Sequence, residues 1–422
     1  MKVVIAHNRY VSANPSGENT VVDAEMTLLG EAGVEVLPFI RSSDEIADLP
    51  PARKAMLPVS PIYAGPAQRE LAALLTRERP DVLHLHNPYP LLSPWVVRTA
   101  HAHGVPVVQT VHNFRHVCVA GVYFRDGHPC HDCLGKAVPY PAVLHACYRG
   151  SRAQSAVMAT SLTVHRGTWR SVDRYLALTP AIADHLRTYG IPERRITVKP
   201  NGVVDPGAHD ETGAGLLFVG RLSAEKGTGL LLDAWSRHPV GALGELRIAG
   251  DGPLRGEVEA AAAARPDVRY LGRLAPGEVP GAMRAAAAVV IPSTWDEVCP
   301  MVAIEALANA RPLLVSAKGG LPYLVGGVGA AGGGTGGTDP TGGTDRTGGT
   351  GGTGGGEPAG WVVEPEPDAF AAALPRVVAE APRLAATARR RYLDAFSTDV
   401  VTGQLLGVYR ELAAVPAAAR GE

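Results

Sequence analysis

Two pairs of charged residues follow apolar segments in the second half of the chain. Arg221 and Lys226 come after the apolar segment GLLFVG, and Glu297 and Glu305 come after the apolar segment AVVIPS. An arginine fork and a lysine ammonium suit a pyrophosphate, while carboxylates accept hydrogen bonds from hydroxyl groups. These residues predict a site for two hydroxyl-bearing rings that are joined by a pyrophosphate. For the two cations, a solvated basic loop is the alternative.

A short helix is predicted directly after Glu297. Pro300 fits its first position, and the sequence ARP marks its end. The start of such a helix presents free backbone N–H groups and the positive end of the helix dipole, which together form an anion site. Helical side chains lean toward the N-terminus, so Glu305 can point back to the same place. For Glu297, stabilisation of the helix start through the dipole is the alternative role.

The elements that must position these residues are the strands of parallel sheets. Short apolar segments alternate with longer amphipathic segments through most of the chain, a pattern typical of parallel sheets covered by helices on both faces. Ligands of such sheets bind beyond the carboxyl ends of the strands. The sequence GDG follows another predicted strand, ELRIA. Gly250 and Gly252 would let the backbone around Asp251 approach a ligand, and a plain tight turn is the alternative.

The length of 422 residues exceeds one ordinary hydrophobic core and predicts two domains. The polar, Gly- and Pro-rich segment 201–215 interrupts the strand–helix alternation, so the first domain is predicted over 1–200 and the second over 201–396. The amphipathic segment 397–422 predicts a C-terminal helix that crosses back toward the first domain. The Gly/Thr-rich segment 326–356 has almost nothing to bury and predicts a disordered insertion.

Charge and hydropathy argue against several classes of protein. The formal net charge of -1 gives no reason for bulk attraction to nucleic acid or to an acidic membrane. The N-terminal sequence MKVVIAHNRY has the pattern of a buried strand, so we expect no signal peptide. No segment reaches the roughly 20 apolar residues that a membrane-spanning helix needs. We therefore expect a cytoplasmic protein without a nucleic-acid partner.

Four motifs that occur in order resemble those of one enzyme family. They are VGRLSAEKG, IAGDGPLR, VRYLGRL and DEVCPMVAIEALANARPLLVSAKGGLPYLV. With these motifs the chain resembles, over nearly its whole length, the family-4 retaining glycosyltransferases of the GT-B fold. Glu297 and Glu305 match the Glu-x7-Glu signature of that family. The resemblance implies an α/β fold of two doubly wound, Rossmann-like domains that face each other across a cleft.

The resemblance also implies an activity. A hexosyltransferase-like enzyme would move a sugar from a UDP- or GDP-sugar to an acceptor hydroxyl with retention of configuration, in polysaccharide or glycoconjugate biosynthesis. The acceptor would be a glycan, a lipid-linked molecule or a small molecule. The family's front-face attack uses the leaving group, no carboxylate nucleophile and no obligatory metal. The alternatives are another GT-B activity, such as nucleotide-sugar epimerisation, and a non-catalytic nucleotide-sugar-binding protein.

Each charged residue receives a role from the resemblance. Arg221 and Lys226 would hold the donor diphosphate and stabilise the charge that builds on the leaving phosphate. Glu305 would hold the nucleotide ribose, and Glu297 would lie against the donor sugar. His112, at the end of the strand VPVVQTVH, matches the family's active-site histidine, for which a satisfied core histidine is the alternative. The other implied donor contacts are Gly17, Gly250, Asp251, Gly252, Pro300, Met301 and Val302.

Four of the five cysteines lie close together in sequence, in a predicted insertion over about 115–150. They are Cys118, Cys130, Cys133 and Cys147. A C-x2-C pair with two outlying cysteines suits a structural, tetrahedral zinc site in a compartment where thiols stay reduced. A reduced cysteine cluster or incidental core thiols are the alternatives.

The segment after the last of these cysteines is apolar and has basic residues around it. These are Arg149, Arg152, Arg166 and Arg170. It predicts a helix that is buried in the first domain and has basic ends. The alternative is a helix that lines the acceptor side or contacts a membrane surface, which would suit a lipid-linked acceptor and a peripheral membrane location.

Overall fold

The computed structural model describes residues 1–12, 17–209, 212–326 and 357–414. Two compact units divide the chain: Met1–Gly202 with the C-terminal helix, and Val203–Ser397. Each unit contains a six-stranded sheet in which all pairings are parallel. The predicted fold class is thereby confirmed. Of the predicted insertion 326–356, all but Gly326 lies outside the described residues.

The first unit is built on a sheet of strand order β2-β1-β3-β4-β7-β8, with a separate antiparallel pair β5-β6. Its strands are β1 (Lys2–Arg9), β2 (Glu35–Ser42), β3 (Val82–Leu85), β4 (Val107–Val111), β5 (Phe124–Arg125), β6 (His128–Pro129), β7 (Arg174–Ala177) and β8 (Ile196–Val198). Its helices are α1 (Gly17–Glu31), α2 (Glu45–Asp48), α3 (Pro51–Met56), α4 (Gly65–Glu78), α5 (Trp95–Ala102), α6 (Tyr140–Leu144), α7 (Arg152–Val164), α8 (Arg166–Arg170), α9 (Pro180–Tyr189) and the C-terminal α16 (Thr398–Ala414).

The second unit repeats this plan with strand order β11-β10-β9-β12-β13-β14. Its strands are β9 (Leu216–Val219), β10 (Leu246–Ala249), β11 (Val268–Gly272), β12 (Ala288–Ile291), β13 (Leu313–Ser316) and β14 (Gly360–Val363). Its helices are α10 (Thr228–Ser236), α11 (Arg255–Ala264), α12 (Val279–Ala285), α13 (Met301–Ala308), α14 (Leu321–Leu324) and α15 (Pro367–Ala395).

The strand order of each sheet fixes where a ligand can bind. In the first sheet β1 has β2 on one side and β3 on the other, and in the second sheet β9 lies between β10 and β12. At such a switch point the connections leave in opposite directions, which opens a crevice at the carboxyl end of the sheet. Ligands are therefore expected at the carboxyl ends of β1 and β9 and of the strands beside them.

The core of each unit consists of continuous apolar strands and the apolar faces of helices. In the first unit, Leu405 and Tyr409 of α16 join the buried cluster that contains Val3 and Ile5 of β1. In the second unit, Trp235 of α10 and Phe370 of α15 are buried beside the sheet residues. Among the described residues, no helix is both long enough and apolar enough to span a lipid bilayer.

Candidate active site

The loops that follow β9 and β12 are bonded to each other at the switch point of the second sheet. The backbone N–H of Thr294 donates to the carbonyl of Glu225 at 2.9 Å. Gly227 has a φ of +72°, and a Cβ at this position would lie 1.8 Å from the carbonyl oxygen of Pro292. A side chain at Gly227 is therefore excluded both by the backbone conformation and by the neighbouring chain. The contact fixes Lys226 beside the loop that follows β12.

Lys226 and Glu297 form an ion pair in this contact. The ammonium of Lys226 donates to Glu297 Oε1 at 2.7 Å, and the hydroxyl of Ser293 donates to the same oxygen, also at 2.7 Å. The side chain of Glu297 is 6% exposed and that of Lys226 is 26% exposed. The Lys226 ammonium also lies 4.9 Å from the centre of the Trp295 ring. The cation is held in place, and part of it still faces solvent.

Glu297 is ionised although it is buried. Burial opposes ionisation, but the Lys226 ammonium and the Ser293 hydroxyl outweigh it and hold the pKa of the carboxyl below its usual value. The backbone carbonyl of Glu297 accepts from the N–H of Gly320 at 2.6 Å, so the residue is also fixed from the loop after β13. A role limited to the helix dipole does not account for this burial and pairing.

Glu305 differs from Glu297 in having no partner for its carboxylate. It lies in α13, is half-buried, and no described residue donates a hydrogen bond to its side chain or forms an ion pair with it. Burial raises the pKa of the Glu305 carboxyl. A half-buried acceptor with this raised pKa would gain most from a ligand that brings hydroxyl donors.

The start of α13 agrees with the predicted helix start to within one residue. Pro300 is the residue just before the helix, and Met301 and Val302 form its first turn, partly exposed. Their backbone N–H groups belong to the first turn, where no intrahelical acceptor is available. Arg221 follows β9, is exposed, and has no ion-pair partner among the described residues.

The glycines of the GDG turn pack against backbone. A Cβ on Gly250 would lie 1.8 Å from the carbonyl oxygen of Gly220, and one on Gly252 would lie 2.5 Å from that of Leu222. Asp251 is exposed, and its carbonyl accepts from the Leu222 N–H at 3.0 Å. Close packing of the loop after β10 on the loop after β9 thus explains both glycines. Their contact with a donor remains a prediction.

His112 lies at the carboxyl end of the first sheet, directly after β4. Its Nε2 is 2.9 Å from Nδ1 of His86, which follows β3. Burial, then the neighbouring His86, holds the pKa of His112 well below its usual value, so the ring is neutral at pH 7. Both histidines line a small pocket together with Asn113 and Arg115. Gly17 is the first residue of α1 and is exposed, while Ser16 before it lies outside the described residues.

Both halves of the chain match models of glycosyltransferase domains. A model described as a glycosyl transferase 4-like domain matches residues 16–202, and one described as glycosyl transferases group 1 matches residues 213–334. The chain belongs to this glycosyltransferase family. Its predicted family membership is confirmed, and no curated protein matches its sequence.

Solved structures of other glycosyltransferases share the fold of this one. Sucrose-phosphate synthase from Thermosynechococcus elongatus is 20% identical, with a TM-score of 0.64 over 98% of this chain and 99% of that chain. Anabaena HepE in complex with UDP is 14% identical, with a TM-score of 0.61 over 97% and 100%. A glycosyltransferase from Rickettsia africae is 13% identical, with a TM-score of 0.62 over 98% of both chains. These likenesses show the GT-B fold.

The four clustered cysteines of the glycosyltransferase surround one pocket. Cys118, Cys130, Cys133 and Cys147 all contribute to its lining. Among the described residues, however, only Glu25, His84 and His86 bring three ligand atoms within 4.8 Å of one another. The sulfur atoms are thus gathered without reaching the mutual distances of a closed tetrahedral site. Zinc binding by the cysteines stays a prediction.

The segment after the cysteines forms the helix α7 of the glycosyltransferase. Met158, Ala159 and Leu162 of this helix are buried, while Arg152 at its start is exposed. The predicted helix with an apolar buried face and a basic end therefore exists. Contact of this region with a membrane remains a prediction.

Sequence patterns did not reveal several residues that the fold brings to these sites. Ser293 and Trp295 were not singled out, because a serine and a tryptophan near a strand end carry no specific signal. Glu25 and His86 were also missed. The sequence HLH at the end of β3 was the available clue, since side chains two residues apart in an extended segment share one face. The partner in α1 could not be recognised from spacing.

Proposed function

We propose that this glycosyltransferase transfers a hexose from a nucleotide diphosphate sugar to an acceptor hydroxyl with retention of configuration. The observation that carries the proposal is the ion pair of buried Glu297 with partly exposed Lys226 at the switch point between β9 and β12. A carboxylate that is taken out of water beside a partly exposed ammonium suits a ligand with hydroxyl groups next to phosphate. Anabaena HepE, which shares the fold, has been solved with UDP-glucose, so a UDP-sugar is the first donor to test.

Each site residue of the second unit has a defined role in this proposal. Lys226 and Arg221 bind the diphosphate, and the first turn of α13 adds backbone N–H groups. Glu305 accepts hydrogen bonds from the ribose, which gives its carboxylate the partner that the described chain does not supply. Glu297 accepts a hydrogen bond from a hydroxyl of the donor sugar through Oε2, the carboxylate oxygen that does not bond to Lys226 and Ser293.

The proposed reaction exchanges one bond at the anomeric carbon for another on the same face. The bond between the anomeric carbon and the β-phosphate oxygen breaks, and the bonding pair stays on that oxygen. The acceptor hydroxyl oxygen forms the new bond, and its proton passes to the leaving phosphate. Lys226 and Arg221 accelerate the step because the negative charge they face increases as the bond breaks. No carboxylate of this chain is used as a nucleophile.

The test is a donor panel with product analysis. The full chain is incubated with UDP-, GDP- and ADP-hexoses and with glycan, lipid-linked and small acceptors, and both nucleotide release and anomeric configuration are measured by NMR. Acceptor-dependent release with retained configuration supports the proposal. Inversion, or conversion of the donor sugar to an epimer without acceptor, would overturn it. Tight donor binding without any turnover would favour a binding protein.

A further inference from the structure

A buried chain of polar contacts leads from α1 to His112 in the first unit. Lys199 donates to Oε2 of Glu25 at 2.9 Å, and Oε1 of Glu25 lies 3.3 Å from Nε2 of His86. Nδ1 of His86 is in turn 2.9 Å from Nε2 of His112. Neither Glu25 Oε1 nor His86 Nε2 makes a well-aligned hydrogen bond to a described residue, and Glu25 Oε1 also lies 3.1 Å from Nδ1 of His84. The contact between Glu25 and His86 is therefore the close approach of a carboxylate oxygen to an imidazole nitrogen.

Burial and charged neighbours set the protonation states of the residues in this series of contacts. Burial opposes the ionisation of Glu25, but Lys199 and the neighbouring histidines outweigh it and hold the pKa of the carboxyl well below its usual value. Burial lowers the pKa of His86 to about 4, and that of His112 also lies well below its usual value. At pH 7 the carboxyl of Glu25 is therefore ionised, and the imidazoles of His86 and His112 are neutral.

The hydrogen-bond partners of His86 and His112 determine their tautomers. The carboxylate of Glu25 can only accept, so Nε2 of His86 must carry the proton of that ring. A neutral imidazole has one N–H, which leaves Nδ1 of His86 as an acceptor. The 2.9 Å contact then requires the proton on Nε2 of His112. Nδ1 of His112 is left without a proton and with a free lone pair.

A metal ion is a poorer interpretation of the same residues. Glu25, His84 and His86 lie within ligand distance of one another, but the ammonium of Lys199 already occupies the second oxygen of the carboxylate. The nitrogens of His84 lie 2.6 Å from the hydroxyl of Tyr409 and 2.8 Å from that of Thr110. A resident cation so close to a buried ammonium would be repelled.

We infer that Glu25 and His86 are positioning residues that hold His112 as the Nε2–H tautomer and leave its Nδ1 as a hydrogen-bond acceptor for a substrate hydroxyl. The role toward the substrate rests on the proposed function, but the tautomer does not depend on it. A sugar or acceptor hydroxyl that donates to this nitrogen is held without any change in charge. The wrong tautomer would present an N–H and favour a different orientation of that hydroxyl.

The tautomer can be measured directly by ¹⁵N–¹H NMR on the full chain labelled at histidine nitrogens, with signals assigned through His112→Gln and His86→Gln. The expected result at pH 7 is an Nε2–H tautomer for both histidines. An Nδ1–H tautomer or an imidazolium at His112 would overturn the inference. Because this readout requires no turnover, it stands or fails separately from the proposed glycosyl transfer.

A matched pair of variants tests the origin of the tautomer. In Glu25→Gln the amide oxygen is drawn to Lys199 and the NH₂ group faces His86, which reverses the proton order and places the proton of His112 on Nδ1. Tyr409→Phe removes a hydroxyl from His84 in the same cluster and should leave His112 unchanged. Retention of the Nε2–H form in folded Glu25→Gln, checked by circular dichroism, would overturn the inference.

The kinetic consequence separates positioning from a structural role. If transfer is observed, Glu25→Gln should lower kcat by about ten-fold or more with a smaller effect on the donor KM, since an incorrect histidine tautomer can cost up to about 10⁴ in rate. Tyr409→Phe should stay within about two-fold of the parent. If Glu25→Gln instead lowers only the folded fraction and leaves kcat of the folded enzyme unchanged, the positioning role is wrong.

Discussion

The side chains of Lys226 and Glu297 meet at 2.7 Å although 71 positions separate them in the chain. Lys226 follows the central strand β9, and Glu297 follows β12, its neighbour in the sheet. Parallel pairing places both strand ends at one edge, and Gly227 brings the loops into contact. The pair therefore results from strand order, which local sequence does not specify.

Replacement of Lys226 by methionine should lower turnover by about 100-fold or more, because a charge that faces the leaving phosphate is lost. The stability cost should be well below the roughly 3–5 kcal/mol of a fully buried pair, since the Lys226 side chain is 26% exposed. Steady-state kinetics and thermal unfolding measure both quantities. Arg237→Ala, at the other end of α10, is the control, and equal rates for the two variants would refute the role of Lys226.

Glu305→Gln should weaken donor binding while leaving the free protein as stable as before or more stable. The folded-state pKa of this carboxyl is raised by burial, so the folded protein binds more protons than the unfolded chain just above the usual carboxyl pKa. Ionised Glu305 is thus a cost at pH 7 that the amide removes, and the difference between the two proteins should shrink toward pH 4. Calorimetric donor titration and urea unfolding at both pH values check this; loss of stability at pH 7 would contradict it.

Gly227→Ala should destabilise the second unit by about 2 kcal/mol or more and reduce turnover, because the added methyl meets the Pro292 carbonyl. Gly229→Ala is the matched control. It lies two residues later in α10, has nothing within 4 Å of the added atom, and should gain up to about 1 kcal/mol. Urea unfolding of both variants measures the contrast, and a neutral Gly227→Ala would show that the loop contact is dispensable.

The first unit should lose stability as the pH falls below about 6.5. Burial lowers the pKa of His7, His86 and His185 to about 4 and that of His116 to about 3. Between those values and the usual histidine pKa, the unfolded chain binds more protons, so the free energy of unfolding falls as the pH decreases. Glu25, whose folded pKa is also lowered, adds to the loss below about pH 4.5.

Hydrogen exchange at pH 7.5 and 5.5, corrected for the intrinsic rates, measures this effect by region. Amides of β3 and β4 in the first sheet should lose protection at the lower pH more than amides of β9 and β12 in the second. Unchanged or greater protection of β3 and β4 at pH 5.5 would contradict the expected sign.

The cysteine pocket predicts one zinc ion per chain that is lost in Cys130→Ser. Because no three of the described cysteine sulfurs lie within 4.8 Å of one another, binding must draw them together and should protect residues 118–147 from proteolysis. Elemental analysis and limited proteolysis with and without a chelator test this. Purified protein without zinc, and with the same cleavage pattern in both conditions, would end the prediction.

Much of the fold could be predicted because its signals are local. The apolar strand segments, the start of α13 after Pro300 and the polar connection 201–215 are readable from hydrophobic runs and from Pro and Gly positions. The same local signals placed Arg221, Lys226 and Glu297 after strand ends. The packing role of Gly250 and Gly252 could not be read, since it depends on backbone contributed by a neighbouring strand.

The sequence by itself determined the alternation of strands and helices and the chemical types available at the strand ends. Only the tertiary structure decided that Lys226 is paired with Glu297, that Glu305 is unpaired among the described residues, and that Glu25 reaches His86. The physical reason is that a strand's own residues fix its hydrophobicity, while its neighbours in the sheet are chosen by packing over the whole unit. Charge pairing and proton order follow from those neighbours.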